Sequence, residues 1–318
     1  MRRRAAPTGP GPDLCTRVGE VQLANPVMTA SGTSGHGTEL APWVDLGRLG
    51  AVVVKSLSAE AWAGNPAPRL LALPAGMLNS VGLQGPGVAA WAAEHLPALA
   101  AAGATVVVSL WGQSVDGYRQ AAGAVAAHLT PTVAAVEANI SCPNVEDRRR
   151  MFAQHPRAAA AAVAAVVEGL GGTRPVWAKL SPNVTDLTEI AGAVLDAGAA
   201  GLTLVNTLMG LAIDPATGRA RLGGGGGGLS GPALHPVAVR AVHDVRAAFP
   251  AAAIVGVGGV ATGADAAELI AAGADAVQVG TATFADPRSP SRVLDELTAW
   301  CLTHGVAHLT DLKGRAHA

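Results

Sequence analysis

Cysteine is scarce in this chain, and its three cysteines, Cys15, Cys142 and Cys301, are too widely spaced to form a Cys-x-x-Cys pair. A disulfide framework or an iron–sulfur cluster built from this chain alone is therefore not expected, because both need several cysteines at suitable spacings. No metal site is predicted. A lone cysteine is most often a small buried hydrophobe, and Cys15 and Cys301 keep that interpretation.

Aromatic residues and net charge are also low, at 3% of the chain and a formal charge of -1. A nucleic-acid partner is not expected, since such surfaces need stacking side chains or a strong basic excess. No apolar run approaches the roughly 18 residues of a membrane helix. The opening Met-Arg-Arg-Arg is not followed by the apolar core of a signal peptide. These absences predict a soluble cytoplasmic protein with no membrane partner.

The chain is rich in a repeated pattern, in which a short apolar strand is followed by a loop and an alanine-rich helical segment. The predicted strands are Val27–Ala30, Ala51–Val54, Thr105–Val108, Ala134–Ala138, Val176–Ala178, Leu202–Val205, Ile254–Val257 and Ala276–Val279. Helices are predicted near Trp91–Ala102, Val115–His128, Arg157–Leu170, Leu187–Ala197, Pro236–Phe249, Ala264–Ala272 and Arg292–His304. Alanine favours these helices, and glycine often marks their ends.

Eight strands that alternate with helices favour an α/β fold of the (β/α)8 TIM-barrel type over an open sheet. The 318 residues of the chain suit one such barrel, and no domain boundary is visible. We therefore predict a single domain over residues 1–318, with a disordered tail at residues 1–15. A short β-hairpin is expected over Arg17–Leu23, where it would close one end of the barrel.

Polar residues or glycines stand at the carboxyl end of every predicted strand: Ser31, Lys55, Ser109, Asn139, Lys179, Asn206, Gly258-Gly259 and Gly280-Thr281. In a TIM barrel these ends meet at one rim, where active sites lie. Packing alone keeps buried polar groups few and paired. Eight polar strand ends together therefore predict a functional site at this rim.

Two glycine turns, Gly258-Gly259 and Gly280-Thr281, follow the last two predicted strands, which is the usual place of a phosphate site in a barrel. The first turn also fits the dinucleotide pattern Gly-x-Gly-x-x-Ala. That pattern requires an acidic residue about 20 positions later, where Gly280-Thr281 stands instead, so we reject this alternative. The remaining alternative is that the glycines only form tight turns.

Lys55 and Lys179 each end an apolar strand, where lysine is rare unless it is paired. The alternative is that they extend to the surface. Between them in the chain, the stretch Glu137–Asn144 ends a strand with two amides, a hydroxyl and the thiol of Cys142. We hypothesise that Cys142 is the reacting residue of a flavin-dependent oxidoreductase.

Several motifs resemble those of the dihydroorotate dehydrogenases. They are Asn25-Pro-Val-Met-Thr-Ala-Ser-Gly32, Gly76-Met-Leu-Asn-Ser-Val-Gly-Leu-Gln84, Asn139-Ile-Ser-Cys-Pro-Asn144, Lys179-Leu-Ser-Pro-Asn183, Leu204-Val-Asn-Thr-Leu208, Gly227-Gly-Leu-Ser-Gly-Pro-Ala233 and Val277-Gln-Val-Gly-Thr-Ala282. They follow the family order from about residue 18 to residue 290. Cys142 at the base position indicates class 1, since class 2 enzymes have serine there. Gly82-Leu-Gln-Gly-Pro-Gly87 is closer to type 1B catalytic subunits than to type 1A enzymes.

The resemblance implies an FMN cofactor, a dihydroorotate substrate and Cys142 as the general base. FMN would contact Ser31, Lys55, Ser56, Asn139, Lys179, Val205, Gly231, Gly258, Gly259, Gly280 and Thr281. Dihydroorotate would contact Lys55, Asn79, Ser80, Val81, Gly82, Leu83, Asn139, Asn206 and Thr207. It also implies a homodimer, joined in type 1B enzymes by a subunit that carries FAD and a [2Fe–2S] cluster and passes electrons to NAD.

Two departures from the family pattern bear on these expectations. Ser109 stands where an Asn is expected, so that flavin contact is in doubt. Gly223–Gly228 replaces a more mixed segment, and six glycines predict a floppy loop because glycine loses the most entropy on ordering. The segment Pro143–Gln154 is expected to form a lid over the substrate.

Two alternative functions stay open at this point. One is a related FMN barrel that acts on pyrimidine bases, which would share the Asn-x-Ser-Cys-Pro arrangement. The other is a flavin-free binding barrel in which the site is vestigial. The intact Lys55, Cys142 and Lys179 argue against the second alternative.

Overall fold

The computed structural model describes residues 11–141 and 151–318. Its strands are, in chain order, β1 (Thr16–Val18), β2 (Val21–Leu23), β3 (Val27–Thr29), β4 (Val52–Val53), β5 (Leu70–Leu73), β6 (Gly76–Asn79), β7 (Val106–Leu110), β8 (Val133–Asn139), β9 (Val176–Leu180), β10 (Gly201–Leu204), β11 (Leu208–Gly210), β12 (Gly227–Ser230), β13 (Ile254–Val257) and β14 (Ala276–Val279). Its α-helices are α1 (Val88–Glu94), α2 (Leu96–Ala101), α3 (Val115–Ala126), α4 (Pro156–Leu170), α5 (Leu187–Asp196), α6 (His235–Ala248), α7 (Gly263–Ala271), α8 (Ala282–Ala285) and α9 (Ser289–His304).

Eight parallel strands form the barrel, in the order β3, β14, β13, β10, β9, β8, β7 and β4. The ring closes between its first and last strands, where Thr29 N–H donates to Ala51 O at 3.2 Å and Gly50 N–H donates to Val27 O at 2.8 Å. Helices connect the strands and pack against the outside of the ring. The predicted TIM barrel is confirmed.

The N-terminal hairpin is also confirmed, since β1 and β2 pair antiparallel. Its residues Val18, Val21 and Leu23 belong to an apolar cluster with Met28 and other barrel-interior side chains. They therefore close the amino end of the barrel. Of the predicted tail at residues 1–15, residues 1–10 lie outside the described residues, and Asp13 N–H donates to Ala307 O at 2.9 Å.

Local signals explain where several helices begin and end. The Ser114 side chain accepts a hydrogen bond from Gly117 N–H at the start of α3, and Asp186 caps α5 in the same way. Thr262 and Asp265 form a capping box at α7. Such caps satisfy backbone N–H groups that have no partner within the helix.

The predicted helix Trp91–Ala102 is wrong as a single element, because the chain forms α1 and α2 with a break at His95. Pro97 lies in the first turn of α2. Proline has no backbone N–H, so it cannot continue the hydrogen-bond ladder of a preceding helix but is well suited to starting a new one. None of the helices in the described part of the chain is long and apolar enough to cross a membrane.

A four-stranded antiparallel sheet, in the order β11, β12, β6 and β5, was absent from the sequence prediction. Its strands are short and come from two distant stretches of the chain, Leu70–Asn79 and Leu208–Ser230. One of them begins with two glycines, which weaken a strand signal. This sheet supplies one wall of the cavity at the carboxyl end of the barrel.

Candidate active site at the carboxyl end of the barrel

A cavity of about 420 Å³ lies between the carboxyl ends of the barrel strands and the four-stranded sheet. Its volume falls within the range of roughly 300–1,000 Å³ usual for ligand pockets. The residues predicted for FMN line it: Ser31, Lys55, Ser56, Asn139, Lys179, Val205, Gly231, Gly258, Gly259, Gly280 and Thr281. So do those predicted for dihydroorotate: Asn79, Ser80, Val81, Gly82, Leu83, Asn206 and Thr207. The fold therefore brings these residues together, and their individual roles stay predictions.

Cys142 lies outside the described residues, as does the Pro143–Arg150 part of the predicted lid. The described residues on either side are close to the cavity. Ser141 lines it, and the Ser141 hydroxyl is buried without a hydrogen-bond partner among the described residues. Met151 lines the cavity as well, and Phe152 is buried behind it. A buried hydroxyl without a partner needs an explanation, and a ligand or a water molecule in the cavity would supply the missing hydrogen bond.

One side of the cavity is built on a chain of hydroxyl groups. The Ser31 and Ser56 hydroxyls share a hydrogen bond of 3.1 Å, and Ser56 and Ser109 share one of 2.9 Å. Asn139 Nδ2 also donates to Ser56 Oγ at 3.0 Å. Ser109 itself is fully buried and is not part of the cavity wall. Ser109, the residue that departs from the family pattern, therefore supports Ser56 through a hydrogen bond and does not itself line the cavity.

The two predicted lysines differ in their surroundings. Lys179 is buried, and its Nζ lies 3.6 Å from Glu137 Oε1 in the barrel interior. Lys55 is partly exposed and follows β4. The charge of Lys55 acts on His36. Burial lowers the pKa of His36 below its usual value, and the positive charge of Lys55 lowers this pKa further. The cavity wall thus carries two cations, one with a buried counter-charge.

Amide side chains form a second group in the cavity wall, which is linked to the chain of hydroxyl groups through Asn139. Asn206 Nδ2 donates to Asn139 Oδ1 at 3.3 Å, and Asn79 Nδ2 donates to Gly228 O at 3.2 Å. Amides offer both donors and acceptors, which suits a planar ring with alternating N–H and C=O groups.

The loop that follows β10 is held by Asn183. Asn183 Nδ2 donates to Thr207 O at 2.9 Å, and Asn183 Oδ1 accepts from Met209 N–H at 2.8 Å. This double contact fixes the backbone that carries Asn206 and Thr207. Asn183 belongs to the Lys179–Asn183 motif, yet no local pattern indicates that it contacts the Thr207 backbone.

The glycine run Gly223–Gly228 departs from the expectation of a floppy loop. Gly227 and Gly228 belong to β12 and pair with β6, and Gly223 N–H donates to Pro68 O at 2.8 Å. A Cβ at Gly227 would lie 2.4 Å from Asn79 O, and one at Gly228 would lie 2.0 Å from Thr207 Oγ1. Because residues 227 and 228 have no side chain, the backbone of β12 can pack closely against Asn79 and Thr207 in the cavity wall.

The opposite end of the cavity has the features of a phosphate site. Gly258 and Gly259 have φ angles of 140° and 70°, which favour glycine. Thr281 Oγ1 donates to Ser230 Oγ at 2.7 Å, so two hydroxyls meet beside this turn. Sequence reasoning missed Ser230, although the Gly227–Ala233 motif contains it. It also missed Asn65 and Met77, which line the cavity.

The donor set fits a flavin mononucleotide. Glycine turns and hydroxyls at one end suit a phosphate, and a cation and amides further along suit the polar edge of a flavin ring. The Ser141 hydroxyl, which has no hydrogen-bond partner in the described part of the chain, supplies a further polar group in the wall. The residues present are therefore compatible with this cofactor.

Comparison with known proteins gives a consistent result. Residues 13–300 match the family model described as dihydroorotate dehydrogenase. A protein of Geotalea uraniireducens named "Dihydroorotate dehydrogenase B (NAD(+)), catalytic subunit" is 44% identical over 303 residues, covering 95% of this chain and 98% of the relative. A protein of the same name from Desulforudis audaxviator is 48% identical over 296 residues, covering 93% of this chain and 94% of the relative.

Proposed function

The chain belongs to the dihydroorotate dehydrogenase family, and from this premise we propose that its cavity binds FMN beside dihydroorotate with Cys142 as general base. The reaction is the oxidation of dihydroorotate to orotate in pyrimidine biosynthesis. One observation supports the proposal most strongly. A single cavity joins the glycine turns, both lysines and the amide group. The whole chain, residues 1–318, is proposed to act as one FMN-binding domain.

The two ends of the cavity have different tasks in this proposal. Gly231, Gly258, Gly259, Gly280 and Thr281 hold the phosphate through backbone N–H groups and a hydroxyl. When bound, FMN supplies the acceptor for the hydride that leaves C6 of dihydroorotate, a role that no protein side chain can fill. The four-stranded sheet supplies one wall of the cavity, and its role in this proposal is to limit the access of water to the bound substrate.

The ring-binding residues comprise two cations and several hydrogen-bonding groups. Lys55, Ser56, Lys179, Asn139, Ser31 and Val205 all line the cavity and would hold the flavin ring. The two cations would suit its polar edge. Dihydroorotate is held by the Asn79–Leu83 segment together with Lys55, Asn139, Asn206 and Thr207. The contacts of Asn183 with Thr207 O and Met209 N–H keep part of this set in place before the substrate arrives. Such preorganisation lowers the cost of orienting the substrate.

Cys142 removes the proton from C5 of dihydroorotate in this mechanism. Only three positions separate it from Asn139, which lines the cavity. The thiolate is the active form, and a free thiol has a pKa of about 8.5, so flavin reduction should become faster as pH rises toward that value. A positioned base typically contributes roughly 10²–10⁴-fold to the rate.

The first test uses the purified chain and its visible spectrum. The wild-type protein should be yellow, with stoichiometric FMN, and anaerobic dihydroorotate should bleach it. Dihydrouracil should bleach it far more slowly if the substrate is correctly assigned. A colourless protein would contradict the cofactor assignment, and preferential bleaching by dihydrouracil would contradict the substrate.

Cys142→Ala tests the general base directly. This variant should keep its FMN but be reduced by dihydroorotate roughly 10²–10⁴-fold more slowly, measured by anaerobic stopped flow. Cys15→Ala is the matched control, because Cys15 is an exposed cysteine outside the cavity wall. Unchanged reduction kinetics in Cys142→Ala would rule out the assignment.

The electrons then pass to NAD through a partner subunit with FAD and a [2Fe–2S] cluster, and the catalytic chain forms a homodimer. The name of the relatives includes both NAD(+) and "catalytic subunit", which supports NAD as the acceptor and the presence of a partner subunit. The FAD, the cluster and the homodimer are what the family resemblance implies. Among the described residues the free cysteines are Cys15 and Cys301, too few to ligate a cluster. The reduced chain should be reoxidised by NAD only when such a partner is added. Rapid reoxidation by fumarate alone would contradict this route.

A further inference from the structure

A fully buried carboxylate, that of Glu137, lies in the barrel interior beneath the cavity. Glu137 is on β8 two residues before Asn139, and residues two apart on a strand point to the same side. Asn139 lines the cavity, whereas Glu137 does not. The carboxylate therefore sits one layer below the cavity floor and cannot contact the substrate.

Three side chains from three other barrel strands surround this carboxylate. Gln278 Nε2 donates to Glu137 Oε2 at 2.9 Å, and Thr203 Oγ1 donates to the same oxygen at 3.1 Å. The other oxygen, Oε1, has no hydrogen-bond partner among the described residues, and the Nζ of Lys179 lies 3.6 Å from it. Lys179 Nζ also donates to Gln278 Oε1 at 3.4 Å. Two hydrogen bonds thus hold Oε2 in place, and Oε1 faces the ammonium group of Lys179.

Packing does not explain a charge at this position. Interior layers of such barrels are usually dominated by branched aliphatic side chains, and the cluster nearer the hairpin consists of apolar side chains that include Val53, Val107 and Val255. A buried ion pair is often no more stabilising than an apolar layer of the same shape, since both charges must leave water. A gain in stability therefore does not by itself account for the charge pair.

Lys179 alone of this network reaches the cavity wall. A cation at that wall stabilises the negative charge of a reduced flavin, and a carboxylate 3.6 Å behind it offsets part of that effect. With both groups charged, the Glu137–Lys179 pair has no net charge. We infer that Glu137 is a positioning residue that anchors the Lys179 ammonium and lowers the reduction potential of the bound flavin. A lower potential favours electron transfer to a weak oxidant such as NAD, so this inference rests on the proposed function.

Glu137→Gln tests this inference, because it removes the charge but keeps the shape and one hydrogen-bonding oxygen. The measurement is the midpoint potential of the bound FMN, from anaerobic titration against a reference dye. We expect a shift to higher potential of about 30 mV or more, which is a tenfold change in the two-electron equilibrium constant. An unchanged or lower potential would overturn the inference.

Thr203→Val is the matched control. It removes one hydrogen bond to the same carboxylate at nearly constant volume and without any change of charge. It should shift the potential much less than Glu137→Gln, and an equal shift would overturn the inference by assigning the effect to packing. Glu137→Asp retains the carboxylate, so the midpoint potential of this variant should lie much closer to that of the wild type than to that of Glu137→Gln.

Glu137→Met makes the same change of charge with a similar volume, so it serves as a second variant if Glu137→Gln does not fold. FMN content and the thermal unfolding of each apoprotein report folding separately from redox behaviour. Failure of both variants to fold would assign the carboxylate to stability and overturn the inference. A wild-type chain without flavin would instead contradict the proposed function itself.

Discussion

At the scale of the residue, Gly228 determines how closely the four-stranded sheet approaches the barrel. It pairs with Asn79 across β12 and β6, and its carbonyl accepts a hydrogen bond from Asn79 Nδ2. A Cβ on Gly228 would lie 2.0 Å from Thr207 Oγ1, which is far too close for two non-bonded atoms. The positions of Asn79 and Thr207, both proposed substrate contacts, therefore depend on glycine at residue 228.

Gly228→Ala should weaken dihydroorotate binding, because Thr207 or β12 must move to make room for the methyl group. We expect the KM for dihydroorotate to rise about tenfold, equivalent to about 1.4 kcal/mol, while FMN content stays unchanged. Steady-state kinetics with a saturating electron acceptor measure this effect.

Gly226→Ala is the control from the same glycine run. Gly226 lines the cavity as Gly228 does, but its Cβ would meet Gly210 O at 3.2 Å, which requires a shift of only a few tenths of an ångström. The KM of this variant should remain close to that of the wild type. Equal KM values for the two variants would show that close approach at Gly228 does not matter for substrate binding.

At the scale of the element, α3 and α4 pack against each other through glycines with opposite requirements. A Cβ on Gly169 of α4 would lie 2.6 Å from Arg119 O and 2.8 Å from the Cβ of Ala122. A Cβ on Gly123 of α3 would find its nearest neighbour, Gly169 O, at 3.9 Å, which is ordinary contact. The close approach of the two helices therefore depends on one glycine and not on the other.

Alanine substitutions at these positions should change stability in opposite directions. Gly123→Ala should raise the free energy of unfolding by about 0.5–1 kcal/mol, because alanine is the better residue inside a helix. Gly169→Ala should lower it by about 1–3 kcal/mol, since the added methyl group forces the helices apart. Chemical denaturation of the purified variants gives both values, and a stabilising Gly169→Ala would contradict the packing argument.

At the scale of the whole molecule, a buried charge cluster ties the C-terminal segment to the amino end of the barrel. Arg246 Nη2 on α6 donates to Asp275 Oδ2 at 3.1 Å, just before β14, and Lys313 forms an ion pair with the other carboxylate oxygen. Asp275 Oδ2 also accepts from Ile254 N–H at 2.8 Å, at the start of β13. One carboxylate thus joins four separate parts of the chain.

Asp275→Ala should destabilise the protein by about 3–5 kcal/mol, because it leaves the buried Arg246 guanidinium without its counter-charge. Asp295→Ala is the control, since Asp295 pairs with Arg48 in an exposed ion pair that should contribute less than about 1 kcal/mol. Thermal unfolding of the apoproteins would measure both. Similar melting temperatures for the two variants would mean that the cluster does not hold the C-terminal segment.

The sequence by itself determined the barrel and the side of it that carries the site. The strands Ile254–Val257 and Ala276–Val279, for example, begin and end in the structure at the residues that the sequence predicts. This success has a local cause, since buried parallel strands are short apolar runs and alanine is the residue that most favours a helix. The polar residues at the strand ends then locate the site, because every parallel strand of a barrel ends at the same rim.

Tertiary structure alone decided the features that join distant parts of the chain. The four-stranded sheet pairs Leu70–Asn79 with Leu208–Ser230, and no local pattern indicates a partner so far away. The support of Ser56 by Ser109, the clamp of Asn183 on the Thr207 backbone, and the Glu137–Lys179 pair arise in the same way. Side-chain identity can be read from a sequence, but which charges and hydroxyls meet depends on strand register and packing across the closed barrel.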